Sequence, residues 1–202
     1  MKLRIISGGL KGRYVVVDPG PAPGGVRFRP TQERVRESVA EIVKKRIRGC
    51  VAADICAGSG AFGFELLSRG AARVDFVEAD KAAAAAISGN AYRLGVAGRA
   101  RVVRGDARTF ADRPLGEGRG YDIVFYDPPY GDAELGGLVP KLLPLVNAGG
   151  LLIYERRRRP KEKKAAGTEG KADIIEARVY SDTVIELYGK ERDADSYLPR
   201  DV

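Results

Sequence analysis

Histidine is absent from this 202-residue chain, and cysteine occurs only at Cys50 and Cys56. Without imidazole the usual zinc sites and the histidine-based triads are excluded, and two cysteines are too few for a disulfide framework or a four-thiolate metal centre. Whatever chemistry occurs here runs without imidazole. Both cysteines read as buried or half-buried thiols in a reducing cytoplasm. Long apolar runs are missing as well: the longest are stretches such as residues 82–87, and the opening residues 1–6 are cut short by Ser7-Gly8-Gly9. That argues against a membrane span and a secretory signal. Glycine (26) and proline (11) are frequent but stay below a low-complexity level, and 44% apolar residues suffice for a sizeable core in one or at most two domains.

The chain has 35 basic side chains against 27 acidic ones, a net charge of +8. Their distribution is uneven. Residues 1–50 hold twelve basic and four acidic side chains, residues 51–155 eleven and thirteen, residues 156–171 eight and two, and residues 172–202 four and eight. The first basic segment includes Arg4, Lys11, Arg13, Arg27, Arg29, Arg34 and Arg36; the second is the run Arg156 to Arg159 with Lys161, Lys163 and Lys164. Charge concentrated in this way suits a phosphate backbone, because each neutralised phosphate releases counterions. A nucleic acid is therefore the expected partner, with Arg4, Lys11, Arg13, Arg27 and Arg156 as candidate contacts. For the second block a solvated polar loop accounts equally well.

Residues 3–6 and 14–17 are short β-prone runs around a glycine-rich turn, which predicts an N-terminal hairpin, and residues 19–25 (PGPAPGG) read as a loop. Thr31 can cap a helix whose Val35, Val39, Ile42, Val43 and Ile47 share one face, with acids early and bases late as the helix dipole favours. From residue 51 short apolar runs alternate with helical stretches. Strands are expected at 51–55, 74–77, 101–103, 123–126 and 151–154, and helices at 61–69, 81–94 and, less regularly, 133–146. The pattern predicts an α/β fold with a mostly parallel sheet covered on both faces. Residues 174–180 and 183–188 read as an antiparallel pair that finishes it. The expected organisation is a basic hairpin and loop over residues 1–30, followed by one α/β domain over 31–202.

After the first predicted parallel strand, Gly58, Gly60 and Gly63 satisfy G-x-G-x-x-G within Asp54-Ile55-Cys56-Ala57-Gly58-Ser59-Gly60, and Glu78 follows twenty residues beyond Gly58 at the end of the next strand. Glycines there let the backbone approach a ligand, and the carboxylate can accept both ribose hydroxyls: an adenosine-type cofactor pocket. Such turns also serve simply to pack helix on strand. A nicotinamide dinucleotide would set its pyrophosphate against the helix N-terminus, where Asp54 adds an unwelcome negative charge. An acid there suits a cationic end, such as the amino group of S-adenosylmethionine. Asp80 and Asp106, the latter followed by Ala107, add acceptors at strand C-terminal ends, though each alone is equally a turn carboxylate.

The strand expected at 123–126 runs into Asp127-Pro128-Pro129-Tyr130. Two prolines fix the backbone as extended and remove two amide donors. The Asp127 carboxylate and the Pro128 carbonyl can then accept hydrogen bonds from one exocyclic amine and aim its lone pair at an electrophilic methyl group. Tyr130 offers a face for an extruded base. Methyl transfer to an amine needs positioning and charge complementarity but no histidine.

With these motifs the chain resembles the class I S-adenosylmethionine-dependent methyltransferases, and more narrowly the bacterial RsmD family, which methylates a guanine N2 in 16S ribosomal RNA. The narrower likeness rests on Arg4-Ile5-Ile6-Ser7-Gly8-Gly9 with Gly12-Arg13, Arg29-Pro30-Thr31 with Arg34-Val35-Arg36-Glu37, the segment from Ala57 to Gly63, Val77-Glu78-Ala79-Asp80, Asn90, Gly105-Asp106, Asp127-Pro128-Pro129-Tyr130 and Glu155. The resemblance implies a Rossmann-like, seven-stranded fold and S-adenosylmethionine held by the Asp54 loop (Asp54, Ala57, Gly58, Ser59, Gly60, Gly63), by Glu78 and Asp80, and by Asp106 and Ala107 near adenine. It implies that Arg29 and Thr31 lie over the cofactor, that Asp127, Pro128, Pro129 and Tyr130 hold the target guanine, and that the basic hairpin engages RNA. The implied partner is 16S rRNA or a small-subunit assembly intermediate, met by a cytoplasmic monomer without a metal. DPPY is also similar to the motif of DNA adenine-N6 and cytosine-N4 methyltransferases, so a DNA amino-methyltransferase is the alternative enzyme. A ribosome-assembly protein that binds RNA without turnover is the non-enzymatic one. The loop 19–25, the basic block 156–164 and Ser181 depart from the family pattern, which bears on RNA contact and not on catalysis.

Overall fold

Alternating strands and helices from residue 51 onward build a seven-stranded sheet with a helical layer on each face, as the periodicities predict. The computed structural model describes residues 1–17, 30–113, 120–129, 132–159 and 174–190. An antiparallel hairpin comes first, β1 (Lys2–Arg4) and β2 (Tyr14–Val16), with Leu3 opposite Val15. Helices α1 (Pro30–Ile42) and α2 (Lys44–Ile47) lead to β3 (Val51–Ile55), α3 (Ala61–Ser68), β4 (Arg73–Glu78), α4 (Lys81–Leu94), β5 (Ala100–Arg104) and α5 (Ala107–Ala111). Then follow β6 (Tyr121–Tyr126), the single-turn helices α6 (Ala133–Gly136) and α7 (Val139–Leu142), β7 (Val146–Arg157), β8 (Ile174–Tyr180) and β9 (Thr183–Gly189).

The strand order across the sheet is β5-β4-β3-β6-β7-β9-β8, with β3 to β7 parallel and β9 antiparallel to both neighbours. The chain winds outward from β3 to β5 and then crosses back to place β6 on the other side of β3. That reversal opens a crevice at the C-terminal ends of β3 and β6, the place where open α/β sheets bind ligands. The parallel strands are buried on both faces and read as apolar runs accordingly. One face packs Ala52, Phe76, Ile123, Phe125 and Ile153 against α1, α3 and α4; the other packs Ala53, Ile55, Val124, Tyr126 and Leu152 against α5, α6 and α7.

Local signals set several boundaries. Helix α4 starts where the Asp80 carboxylate accepts from the Ala83 amide at 2.7 Å, and ends at Gly95 with φ 74°. These are the side-chain N-cap and the left-handed C-cap that favour a helix at this length. Other expectations need correction. The first helix begins at Pro30, so Thr31 lies inside it and is not its cap, and it breaks at Val43 before α2. Residues 133–146 form only single turns, since Gly136-Gly137, Pro140 and Pro144 interrupt any longer helix, and β7 already begins at Val146.

The hairpin is fastened by buried polar groups. Glu65, fully buried on α3, accepts from the amides of Ile6 (2.9 Å) and Ser7 (3.0 Å) and from Arg69 Nε (2.8 Å). Asn90 on α4 accepts from the Val16 amide at 2.9 Å and donates to the Val16 carbonyl at 2.8 Å, acting as one more strand partner for β2. Ile5 and Val15 therefore belong to the same apolar cluster as α1, α3 and α4. Among the described residues no helix is long and apolar enough to cross a membrane.

Candidate active site

Side chains alternate along each strand, so register decides which groups meet at the crevice. Asp54 lies opposite Phe125 and Ile55 opposite Tyr126, while Tyr126 lies opposite Tyr154. Continuing that alternation puts Asp54, Phe125, Asp127 and Glu155 on one face at the strand ends, and Cys56, just past β3 with φ 61°, joins them. All five line a cavity of ≈ 320 Å³, closed by Glu33 and Arg36 of α1, by Ala57, Gly58, Ser59, Ala61 and Phe62 at the start of α3, and by Met1 and Leu3 of the hairpin. The Phe62 and Phe125 rings stack at 4.1 Å to give it an apolar wall.

Among the described residues four carboxylates and one guanidinium line this space. Asp54 is fully buried; its Oδ2 accepts from the Gly63 amide at 2.9 Å, which counters only part of the cost of desolvation. Burial, with repulsion from Glu78 adding to it, raises its carboxyl to about 7. Asp127 is pushed well above the ordinary carboxylate range, first by desolvation and then by the charges of Glu155 and Asp54. Two acids sharing one low-dielectric site hold a proton between them more readily than either would alone. Cys56 stands among Glu78, Asp127, Asp106 and Asp54, and burial together with those charges raises its thiol to about 12. It is a neutral wall and not a nucleophile.

The glycine loop divides its work. Gly58 has φ 53° and open space where a Cβ would stand, and its amide donates to Glu78 Oε2 at 2.7 Å. Gly63 is a packing residue: a Cβ there would come within 2.2 Å of the Phe76 ring. Glu78 Oε1 accepts from the Asp80 amide at 2.8 Å. Glu78 is half-buried, and each of its oxygens has acceptor capacity left, enough for the two hydroxyls of a ribose.

Of the candidate cofactor residues, Asp54, Ala57, Gly58 and Ser59 line the cavity. Gly60 and Gly63 support it from α3. Glu78, Asp80, Asp106 and Ala107 lie along the same C-terminal edge of the sheet but outside the cavity, at the ends of β4 and β5. Asp80 caps α4, and Asp106 caps α5 while also receiving Arg108 Nη1 at 2.8 Å. Pro128 is buried and Pro129 exposed beside Asp127, whose amide extends the ladder to the Ile55 carbonyl at 3.3 Å. Arg27, Arg29 and Tyr130 lie outside the described residues, as do the loop 19–25 and Lys161, Lys163 and Lys164; so does the side chain of Thr31.

The candidate RNA contacts part company. Arg4 and Lys11 are exposed on the hairpin, Arg4 directly across from the exposed Tyr14. Arg13 is also exposed, but its guanidinium donates to the carbonyls of Leu94 (2.9 Å) and Arg93 (2.6 Å) at the C-terminus of α4. Arg156 pairs with Glu186 at 2.8 Å, only 12% exposed. Glu33 and Phe125 entered no motif reading; Cys56 and Phe62 stand inside the glycine-loop motif, and Arg36 and Glu155 within the residues that carry the family resemblance, none of them with a site role. A signal for Arg36 existed: it falls four and seven residues before Ala40 and Val43, on the stripe that α1 buries.

Comparisons with known proteins bear on the family and the fold. Residues 3–189 match the family model described as Conserved hypothetical protein 95. The chain is 36% identical over 154 residues to "Ribosomal RNA small subunit methyltransferase D" of Escherichia coli strain K12, covering 76% of this chain and 71% of that protein. It is 30% identical over 190 residues to "Putative rRNA methyltransferase YlbH" of Bacillus subtilis strain 168, covering 93% of this chain and 99% of the relative. Among solved structures, "Putative methyltransferase yhhF from Escherichia coli" superposes with a TM-score of 0.73 at 30% identity, over 95% of this chain and 99% of that one.

Proposed function

The chain belongs to the Conserved hypothetical protein 95 family, the RsmD family of S-adenosylmethionine-dependent methyltransferases, and we propose that this rRNA methyltransferase modifies the exocyclic N2 amine of a guanine in small-subunit rRNA. The observation that carries the reading is the placement of Asp127, followed by two prolines, in the wall of one cavity with Asp54 and the glycine loop. The residues fit the cofactor. Open backbone at Gly58, spare lone pairs on Glu78 and an acid-walled cavity suit a nucleoside with a cationic tail. Asp54, Ala57, Gly58 and Ser59 would hold its amino-acid end, and Glu78, Asp80, Asp106 and Ala107 its adenosine.

S-adenosylmethionine supplies the electrophilic methyl group when bound. The protein's own contribution is placement and charge. Asp127 accepts a hydrogen bond from the target amine, and the Pro128 carbonyl takes the other amine proton, since no amide at 128 or 129 competes for it. Held by both hydrogens, the nitrogen presents its lone pair to the cavity. As the amine is alkylated it must lose a proton, and Asp127 receives it. The same effects that raise its proton affinity, burial and the Glu155 charge, make it a stronger proton acceptor than an ordinary carboxylate. A base in a helix cannot reach this depth, so the guanine has to be unstacked first. Phe62 and Phe125 keep the interior apolar and water-poor.

The exposed Lys2 and Arg4, next to the cavity-lining Met1 and Leu3, and the exposed Lys11 in the hairpin turn support RNA approach over the hairpin. An rRNA substrate supports action in the cytoplasm. The test is incubation of the protein with methyl-labelled cofactor and small ribosomal subunits from cells lacking it, followed by nucleoside analysis. Label in N2-methylguanosine of 16S RNA is expected. Label on DNA adenine, or on another position of the base, would refute the assignment.

A further inference from the structure

One cation in the cavity has no task in the scheme above. Arg36 of α1 is only 9% exposed and lines the cavity with Glu33, Asp54, Asp127 and Glu155. Its Nη2 donates to the Arg4 carbonyl at 3.0 Å, which fixes the guanidinium plane against β1. Its Nε is buried and has no hydrogen-bond partner among the described residues. A buried N–H without an acceptor is costly, and a guanidinium is built to give two parallel N–H bonds to a planar anion. No ion pair links Arg36 to a carboxylate among the described residues, although Glu65, Glu33 and Glu37 stabilise its charge from a distance.

We propose that Arg36 receives the carboxylate of the cofactor's amino-acid end, completing a zwitterion site in which the cavity acids face the ammonium and this guanidinium faces the anion. The inference rests on the cofactor reading above. An α-amino acid carries its two charges on groups attached to one carbon, so a cavity that accepts it must offer a base and acids side by side. Among the described residues Arg36 is the one basic side chain lining this cavity, and Asp54 is among the acids that line it too. An RNA phosphate is the other anion to consider. Phosphates stay on the outside of the nucleic acid, whereas Arg36 is nine-tenths buried behind the hairpin and α1; the exposed Lys2, Arg4 and Lys11 are better placed for them.

Calorimetry with three ligands tests the assignment: S-adenosylhomocysteine, its decarboxylated analogue S-adenosyl-3-thiopropylamine, and 5′-methylthioadenosine, which lacks the whole amino-acid end. The unaltered protein is expected to prefer S-adenosylhomocysteine over the decarboxylated analogue by about 10- to 100-fold, the range of one charge-assisted contact. Arg36→Gln is expected to bind those two ligands alike, within about threefold, and to keep its affinity for methylthioadenosine. In the unaltered protein, without recourse to a variant, the Arg36 Nε–H signal in a ¹H–¹⁵N spectrum should shift on adding S-adenosylhomocysteine and stay in place with the decarboxylated analogue. If none of the three binds the unaltered protein, the cofactor reading itself fails. If they bind but the carboxylate brings no preference, or Arg36→Gln retains it, or the Nε–H signal ignores it, the Arg36 assignment is overturned. Loss of RNA affinity in Arg36→Gln with the carboxylate preference intact overturns it in favour of a phosphate.

Discussion

Replacing Asp54 by Asn should make the protein more stable and less able to bind its cofactor, and the gain in stability should grow with pH. Asp54 is 2% exposed, its carboxyl raised from 3.8 to about 7. A raised carboxyl means that between those two values the folded chain holds a proton that the unfolded chain has released. Stability therefore falls as pH rises through that window and is flat above it. The full interval corresponds to about 4 kcal/mol, of which roughly 2–3 kcal/mol is lost between pH 5 and pH 8. Asn keeps the acceptor for the Gly63 amide at 2.9 Å but carries no charge. Urea unfolding of both proteins at pH 5, 6, 7 and 8 measures the difference directly. The advantage of Asp54→Asn should widen by roughly 2–3 kcal/mol over that range, with unchanged urea dependence. A difference that does not vary with pH, or a variant less stable at pH 8, would show that Asp54 is not a desolvated acid kept for a ligand.

Gly63→Ala should lower stability by about 1–3 kcal/mol, because its Cβ would stand 2.2 Å from the Phe76 ring and 3.0 Å from Asp54 Oδ2 in a packed interior; an unchanged urea midpoint contradicts this. Glu155→Gln removes the charge that raises Asp127 most, so the acidic limb of the single-turnover rate against pH should move to lower pH. A limb that stays where it is would mean that the two acids do not titrate together.

Much of the fold is written in local signals. The strand Val51–Ile55 and the helix Lys81–Leu94 appear with the limits read from the sequence, the first because an apolar run is bounded by Gly49-Cys50 and the glycine loop, the second because Asp80 and Gly95 cap it. The turn at Ser181-Asp182 likewise joins β8 to β9, with Ser181 at φ 53°. Helix α5 went unread because five residues are too few to show a period. The site divides the same way. Asp54, Asp127 and the glycine loop announce themselves through spacing along the chain. Arg36 and Glu155 become site residues only through packing, one by the side of α1 that meets the sheet, the other by the register of β7 on β6. Charge is visible in a sequence and its partner is not, so the reading of Arg13 and Arg156 as RNA contacts could not include the Leu94 carbonyl that one meets or the Glu186 carboxylate that the other meets.

The central claim is that the carboxylate at 127 presents the amine. Single-turnover methylation by Asp127→Ala, started with cofactor already bound and RNA in excess, tests it most directly. The account predicts a rate lower by about 10²–10³, as when one oriented hydrogen-bonding group is removed from a reacting centre, with S-adenosylhomocysteine affinity within about threefold of the unaltered protein. A rate close to that of the unaltered protein, with the cofactor equally well bound, would contradict it.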